Sequence, residues 1–363
     1  MDKTLMGLPE GQSVQRPATI ALQNDDCDWK AIAKARLDDL TKPPGSLGRL
    51  EGIAAQMVLI QRQERPSCTH KVVYVFAADH GVIEEGVSAY PKQVTEQMVR
   101  NFLGHGAAIN VLARCAGAEV IVVDVGVDAT FEAHPQLVRR KIRRGTRNMT
   151  RGPAMTEEEV KAALNLGRLL IQQSPSPDNQ LIALGEMGIG NTTAAAAITA
   201  VLCRKRVEEV TGPGTGISLE TLIHKRQVIE KALEINAVKN AGPMDVLQRV
   251  GGLEIAAMTG MILEGHAQRI AVVMDGFISS AAAAVAFAME PRVKEVLFAG
   301  HVSQEPGHRV LLDYIGVEPI LNLEMRLGEG TGAVLAMTVI EASVKVLNEM
   351  ATFSSAGVSG PQA

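Results

Sequence analysis

Two glutamates of this sequence lie inside glycine-rich turns, where a carboxylate could act on a bound molecule. Glu186 stands in GEMGIGNTT (residues 185–193), and Glu329 stands between two glycines in RLGEGTGA (residues 326–333). Close to an apolar ligand the pKa of such a carboxyl group rises, which suits a general base. The structural alternative is that an acid near a helix N-terminus only stabilises the helix dipole. For Glu329 the residue pattern leaves these two interpretations equally open.

The turn that holds Glu186 also has the chemistry of a phosphate site. Helix N-termini offer unpaired N–H groups and a partial positive charge, and asparagine or threonine can donate further hydrogen bonds to phosphate oxygens. The candidate phosphate ligands in this turn are Gly188, Gly190, Asn191 and Thr192. A tight connection without any ligand is the alternative, because glycine is common in turns.

A second glycine turn, TGPGTGIS (residues 211–218), also precedes a predicted helix. Its candidate phosphate ligands are Gly214, Thr215 and Gly216. If both turns face the same space, two helix N-termini converge on one anion. Lys225, two turns into the second helix, could add a positive charge, although a solvated surface lysine fits its spacing at least as well.

Several function classes are excluded by charge and motif. A net charge of −4 gives no basic field for nucleic acid. Gly276 follows Asp275 where a pyrophosphate–magnesium site needs a second acid, so Asp275 is predicted to cap the next helix. The histidines lack the spacing of metal ligands, and His80, His301 and His308 are interpreted as loop-stabilising. We therefore predict neither a metal nor another cofactor.

Composition predicts a soluble chain in a reducing compartment. No apolar run is judged long enough to cross a bilayer, so no membrane partner is expected. Residues 1–20 carry polar groups and prolines throughout, unlike a signal peptide. The cysteines are scattered without a C-x-x-C pair, which favours a cytoplasmic location.

Alternating apolar and helical segments predict the elements that must position these residues. Continuous apolar runs, typical of strands buried on both faces, cover residues 72–79, 118–128, 180–186, 269–276, 295–301 and 319–323. Helical patterns cover residues 28–64 (broken at 41–51), 92–116, 156–173, 191–204, 217–238, 252–267, 277–290 and 330–350. This order predicts an α/β fold, with a mostly parallel sheet and helices on both faces. The loops after the strands then share one edge, where ligands of such sheets bind.

Ten motifs in collinear order resemble the nicotinate-nucleotide:dimethylbenzimidazole phosphoribosyltransferase family, over residues 28 to 350. Besides the two glutamate turns, the motifs are KPPGSLGRLE (42–51), AADHGV (77–82), GVSAYP (86–91), GTRNM (145–149), GPGTG (212–216), GGLEIAAMTG (251–260), DGFISSAAA (275–283) and GHVSQEPGHR (300–309). RLGEGTGA is the most specific of them. The resemblance implies transfer of phosphoribose from nicotinate mononucleotide to a benzimidazole, giving α-ribazole 5′-phosphate and nicotinate.

The resemblance also implies a Rossmann-like fold and a domain plan. Residues 71–330 would form the large α/β domain with the active site, and residues 21–70 with 330–350 a small helical lobe. Residues 1–20 and 351–363 have the small, polar composition of flexible segments. The family usually works as a homodimer on small-molecule substrates, which is the expectation here.

Residue roles carry over from the family onto matching positions. The resemblance implies that Glu329 is the catalytic base, that Glu186 lies in the active site, and that the two glycine turns surround the phosphate. It places Ser88, Tyr90 and Gln93 near the pocket for the accepting base. Members differ in that base, which can be adenine, a phenolic compound or another benzimidazole, and some need a second subunit.

The implied reaction explains why no metal motif is needed. Nicotinate mononucleotide already carries a pyridinium at C1′, so nicotinate can leave without a general acid. The attacking benzimidazole must lose a proton from its other nitrogen, and a positioned base contributes about 100- to 10,000-fold to such a step. Two alternatives stay open: a hydrolase that uses water on the same nucleotide, and a ribotide-binding module whose two glutamates are only structural.

Overall fold

The computed structural model describes residues 25–174, 180–214 and 216–359. Seven strands form one sheet in the order β3-β2-β1-β4-β5-β6-β7, and every neighbouring pair is parallel. The strands are β1 (His70–Ala78), β2 (Glu119–Gly126), β3 (Leu137–Arg139), β4 (Gln180–Met187), β5 (Ala271–Met274), β6 (Leu297–His301) and β7 (Pro319–Leu321). The α/β prediction is therefore confirmed. The sequence reading missed β3, a three-residue edge strand that is too short to show a pattern.

Helices cover both faces of the sheet. They are α1 (Asp25–Asp39), α2 (Arg49–Gln61), α3 (Gln93–Leu103), α4 (Ala108–Ala116), α5 (Glu157–Gln172), α6 (Asn191–Leu202), α7 (Val207–Val210), α8 (Leu219–Ile235), α9 (Pro243–Val250), α10 (Leu253–Ala267), α11 (Phe277–Met289), α12 (Pro306–Ile315), α13 (Thr331–Glu349) and α14 (Phe353–Ala356). Along β1, Val72, Tyr74 and Phe76 pack with α5, α6, α10 and α11. Val73 and Val75 pack on the other face with α2, α3, α4 and α13.

Two longer helices, α9 and α12, were missed, and each begins with a proline; the four-residue helices α7 and α14 were missed as well. Pro243 is the first residue of α9, and Pro306 is the first residue of α12. At this position the helix makes no use of the N–H that proline lacks, and the fixed φ of proline suits a helix. The sequence reading treated Pro306 as part of a loop. His308 consequently lies in a helix rather than in a loop.

The predicted helix over residues 92–116 is in fact two helices, α3 and α4. The chain turns between them at Gly104, His105 and Gly106, and His105 has a left-handed φ of 59°. A β-carbon at Gly106 would lie 2.3 Å from Oδ1 of Asn101, so a larger residue there would have to displace that side chain. The corner brings the N-terminus of α4 to the edge of the sheet.

The described part of the C-terminal segment contacts the chain just after α1, and the predicted flexibility of residues 351–363 stays a prediction. The Thr41 N–H donates to the Ala351 carbonyl at 3.0 Å, and Thr352 forms a bridge with Leu40 before α14 begins. A separate apolar cluster joins α1 and α2 to the end of α13 through Leu37, Val58 and Leu347. The division into two lobes remains a prediction, and the predicted N-terminal segment of residues 1–20 lies outside the described residues.

Helix α13 is long and apolar enough to cross a membrane, which contradicts the prediction that no run reaches that length. Its most apolar window is 56% buried within the protein, where α13 packs on β4, β5 and β6. A buried core helix meets the same criterion of length and composition.

Helices α5 and α10 cross with their backbones in contact. A β-carbon at Gly260 would lie 1.9 Å from the Leu164 carbonyl oxygen, and one at Gly167 would lie 1.9 Å from that of Ala257. Gly260→Ala should therefore lower the free energy of unfolding by about 1–3 kcal/mol, since the helices must separate. Gly52→Ala in α2, where nothing lies within 4 Å, should raise it by about 0.5–1 kcal/mol. Urea unfolding of both variants tests this, and equal stabilities would contradict the close crossing.

Candidate active site

The two glutamate turns touch each other at the edge of the sheet where the strands end. Glu186 belongs to the end of β4, and Glu329 precedes α13. A β-carbon at Gly185 would lie 2.3 Å from the Glu329 carbonyl oxygen, and one at Gly328 would lie 2.4 Å from Oε1 of Glu186. Only glycine at both positions lets the turns approach this closely. The structure thus brings together the two carboxylates that the sequence singled out.

Glu329 sits in a strained backbone conformation and is almost fully buried. Its φ of 65° is left-handed, a region that few non-glycine residues adopt. Oε2 accepts a hydrogen bond of 3.2 Å from the Ile109 N–H in the first turn of α4. Burial raises the pKa of Glu329, the Ile109 hydrogen bond lowers it, and the nearby Asp275 charge raises it, with a net shift upwards. A raised carboxyl pKa suits a general base.

Asp275 holds the N-terminus of α13, not that of the next helix as the sequence predicted. Its Oδ1 accepts from the N–H groups of Gly332 at 2.7 Å and Ala333 at 3.0 Å, and its Oδ2 from that of Gly330 at 3.1 Å. Nε2 of His301 lies 3.6 Å from Oδ1. The prediction failed because β5 ends beside the start of α13, a neighbour that sequence order does not reveal. Asp275 thereby fixes the backbone on both sides of Thr331, immediately after Glu329.

Glu186 is a carboxyl group that keeps its proton near neutral pH. Burial, followed by the charges of Asp275 and Glu254, raises its pKa to about 8. Asn191 donates from its side-chain amide to Oε2 of Glu186. The Asn191 N–H donates to the Gly188 carbonyl at 3.1 Å. Asn191 therefore supports Glu186 in this structure, and its predicted contact with phosphate stays a prediction.

Lys225 is buried rather than solvated, which overturns the surface alternative. It is 1% exposed, and its Nζ donates to Oγ1 of Thr192 at 2.8 Å. Burial lowers its pKa to about 8, although the charge of Glu305 opposes this shift. A β-carbon at Gly214 would lie 2.9 Å from that threonine hydroxyl and 3.3 Å from Nζ. The two glycine turns therefore converge around one buried lysine.

Glu305, which the sequence reading did not select, anchors the second glycine turn. Its Oε1 accepts the Gly214 N–H at 2.9 Å. Burial raises the pKa of Glu305, while Lys225 and the Gly214 N–H oppose the shift. Arg326 donates to the Gly214 carbonyl at 3.4 Å. Thr215, a predicted ligand of this turn, lies outside the described residues, and Gly216 is exposed.

A buried His80–Glu254 pair lies beneath the first glycine turn. Nε2 of His80 is 2.7 Å from Oε1 of Glu254, and neither side chain reaches solvent. Burial alone would lower the pKa of His80, but the charge of Glu254 and its hydrogen bond raise it overall. A β-carbon at Gly252 would lie 2.5 Å from Cε1 of His80 and 2.7 Å from Oε2 of Glu254, and one at Gly188 would lie 2.4 Å from the Ala78 carbonyl oxygen. Gly252 thus makes room for the pair, and Gly188 lets the first glycine turn approach the end of β1.

The three residues predicted for the accepting base lie on the loop before α3 and at its start. The Tyr90 N–H donates to Oγ of Ser88 at 3.2 Å, and the Tyr90 side chain is 51% exposed. Gln93 is the exposed first residue of α3. Helix α3 reaches the first glycine turn where the Ile189 N–H donates to Oγ1 of Thr95 at 3.1 Å. This contact brings the loop to the site, and the three roles stay predictions.

Comparison with known proteins gives one consistent result. A family model described as "Phosphoribosyltransferase" matches residues 22–358. The chain is 54% identical to the nicotinate-nucleotide–dimethylbenzimidazole phosphoribosyltransferase of Geotalea uraniireducens, over 94% of this chain and 97% of that protein. It is 52% identical to the protein of the same name from Chlorobaculum tepidum, over 92% and 95% of the two chains. The crystal structure of CobT from Thermus thermophilus is 48% identical, with a TM-score of 0.88 over 92% of this chain and 100% of that one.

The buried Glu186 should make the protein less stable as pH rises. Its folded pKa of about 8 exceeds the ordinary value of 4.5, so between these two pH values the unfolded chain ionises at this position while the folded protein keeps the proton. The fold therefore loses stability as pH rises from 4.5 to 8. Glu186→Gln should therefore unfold at higher urea concentration than the parent at about pH 8.5, with a smaller difference at about pH 5.

Glu85→Gln is the matched control with the opposite sign. Hydrogen bonds from Asn148 and Thr150 lower the pKa of Glu85, so its ionised form stabilises the fold at neutral pH and above. This variant should unfold at lower urea concentration than the parent at both pH values. A Glu186→Gln protein that loses stability most at the higher pH would contradict the raised pKa of Glu186.

Proposed function

The chain belongs to the phosphoribosyltransferase family that includes the nicotinate-nucleotide–dimethylbenzimidazole phosphoribosyltransferases, and we propose that it catalyses their reaction. Phosphoribose would pass from nicotinate mononucleotide to 5,6-dimethylbenzimidazole, giving α-ribazole 5′-phosphate and nicotinate. The observation that carries the proposal is the contact between the two glutamate turns, next to glycine turns that converge on a buried lysine. This arrangement fits a substrate with a cationic sugar end and an anionic phosphate end.

Nicotinate would leave C1′ without being protonated by the protein. The bond from C1′ to the pyridinium nitrogen breaks, its electron pair returns to the ring, and nicotinate departs. One nitrogen of the benzimidazole attacks C1′ from the opposite face, which inverts the β-nucleotide to the α-ribotide. The other nitrogen then loses its proton to Glu329, whose raised pKa makes it an adequate acceptor.

Glu186, beside this base, would stabilise the positive charge of the substrate by becoming ionised. Near neutral pH it carries a proton, but an adjacent pyridinium or oxocarbenium cation favours its ionised form. The carboxyl group can therefore gain negative charge when the cationic substrate binds. Fixed negative groups near developing positive charge stabilise a transition state of this kind.

The phosphate end would occupy the space around Lys225. A buried ammonium beside two glycine turns and the Thr192 hydroxyl matches the needs of a phosphate dianion. Bound phosphate would also favour the charged form of Lys225, whose pKa burial has lowered to about 8.

The proposal also covers the accepting base, the oligomeric state and the cellular location. Adenine, a phenolic compound or another benzimidazole could replace dimethylbenzimidazole, since the predicted base loop around Tyr90 is exposed. Hydrolysis of nicotinate mononucleotide by water is the alternative that uses the same donor half of the site. We further propose a cytoplasmic homodimer, on the strength of the scattered cysteines and the family resemblance.

Glu329→Gln should lower kcat by about 100- to 10,000-fold, because the base is removed while the shape of the side chain is kept. The measurement is turnover of nicotinate mononucleotide with dimethylbenzimidazole, with the α-ribotide detected by mass. Near-parental kcat would refute the base assignment. Incubation with a panel of bases and with none separates the alternatives, since a hydrolase releases nicotinate without an acceptor and a binding module releases none.

Lys225→Met should raise the KM for nicotinate mononucleotide by about 10- to 100-fold, because one charge-assisted contact to the phosphate is lost. The kcat at saturation should change less, since the phosphate lies away from C1′. Lys231→Met, on the same helix but exposed, is the matched control and should leave both constants unchanged. Equal KM values for the two variants would refute the phosphate role of Lys225.

A further inference from the structure

The first turn of α4 is in direct contact with the proposed catalytic base. The Ile109 N–H donates to Oε2 of Glu329 at 3.2 Å, and Ile109 is fully buried. Because Ile109 lies in the first turn, its N–H has no partner within the helix. That N–H is usually satisfied by a side chain at the N-cap, but the N-cap residue here is Ala107, which makes no such bond. Glu329 therefore takes the place of a missing cap.

Asn110 fixes the corner that presents this N–H. Its Oδ1 accepts from the Ala107 N–H at 3.1 Å, and its Nδ2 donates to the Phe102 carbonyl at 3.1 Å. One buried side chain thus ties the end of α3 to the start of α4. Neither bond involves Glu329, yet together they set the position of the Ile109 N–H.

We propose that the Ile109 N–H, set by Asn110, is a positioning group for Glu329 that binds Oε2 and orients its carboxylate. With Oε2 engaged by α4, Oε1 is the oxygen that receives the proton of the accepting base. An alanine N-cap costs the helix about 1 kcal/mol compared with a capping residue, which is consistent with the N–H being used elsewhere. The inference rests on the proposed function, since it requires Glu329 to be the base.

The charges around Glu329 determine what loss of this hydrogen bond would do. Asp275 raises the pKa of Glu329, and His301 partly balances Asp275. Glu186, on β4, interacts with Glu329 as a second carboxyl group. The Ile109 N–H opposes burial and Asp275, so its removal should raise the pKa of Glu329. A base with a higher pKa is deprotonated only at higher pH.

Ile109→Pro is a direct test, because it removes this N–H at the second helical position, where the helix makes no use of it. The matched control is Ile109→Ala, which loses the side chain and keeps the N–H. Compared with the control, Ile109→Pro should move the acid limb of kcat/KM for nicotinate mononucleotide upwards by about one pH unit. Activity should fall about tenfold on that limb and recover at higher pH, while KM changes little. Identical acid limbs in the two variants would overturn the proposal.

Asn110→Ala provides a second variant in case the proline prevents folding. It should shift the acid limb in the same direction, and Val111→Ala, an exposed neighbour, should leave it unchanged. A loss of thermal stability without a shift of the acid limb would assign Asn110 a structural role only and overturn its part in the proposal. A wrong assignment of Glu329 as the base is distinguishable from a wrong positioning role for α4. If Glu329 is not the base, Glu329→Gln stays active, whatever the pH profiles of the α4 variants.

Discussion

The contact between the glycine turn of Glu186 and the glycine turn of Glu329 is the constraint on which the rest of the site depends. Gly185 faces the Glu329 carbonyl, and Gly328 faces the Glu186 carboxyl, at distances that exclude any β-carbon. Two carboxyl groups can be buried in adjoining turns of a protein only when their charge is reduced or balanced. The raised pKa of Glu186 reduces it, and the surrounding hydrogen bonds balance what remains.

Helix N-termini supply much of that balance, which explains why acids stand in turns that look suited to anions. The N-terminus of α13 binds Asp275 through three backbone N–H groups, and that of α4 binds Glu329 through one. Below the first turn a side chain rather than a helix N-terminus meets the acid, since Nε2 of His80 lies 2.7 Å from Oε1 of Glu254. Around Lys225, by contrast, the glycine turns adjoin a positive group of the kind that a phosphate needs. One edge of the sheet can thus serve a cation and an anion side by side.

The helices and strands differ in how well the sequence pattern predicts them. Buried apolar runs predicted β1, β2 and β4 to within a few residues, because a strand buried on both faces has no polar alternation to blur it. The same method missed α9 and α12, where proline opens a helix rather than breaking one. It joined α3 and α4, because the apolar pattern does not show the turn at Gly104, His105 and Gly106, where His105 adopts a left-handed φ of 59°.

The sequence by itself determined the parallel α/β fold, the family and the two glycine-flanked glutamates, because these features are local in the chain. The tertiary structure alone decided which groups surround them. Asp275 caps a helix that begins 56 residues further on, Lys225 is buried against Thr192, and Glu254 meets His80 across 174 positions. Such partners come from strand order and helix packing, which no spacing along the chain reports. They set the pKa values of the site, and hence which carboxyl group can accept a proton.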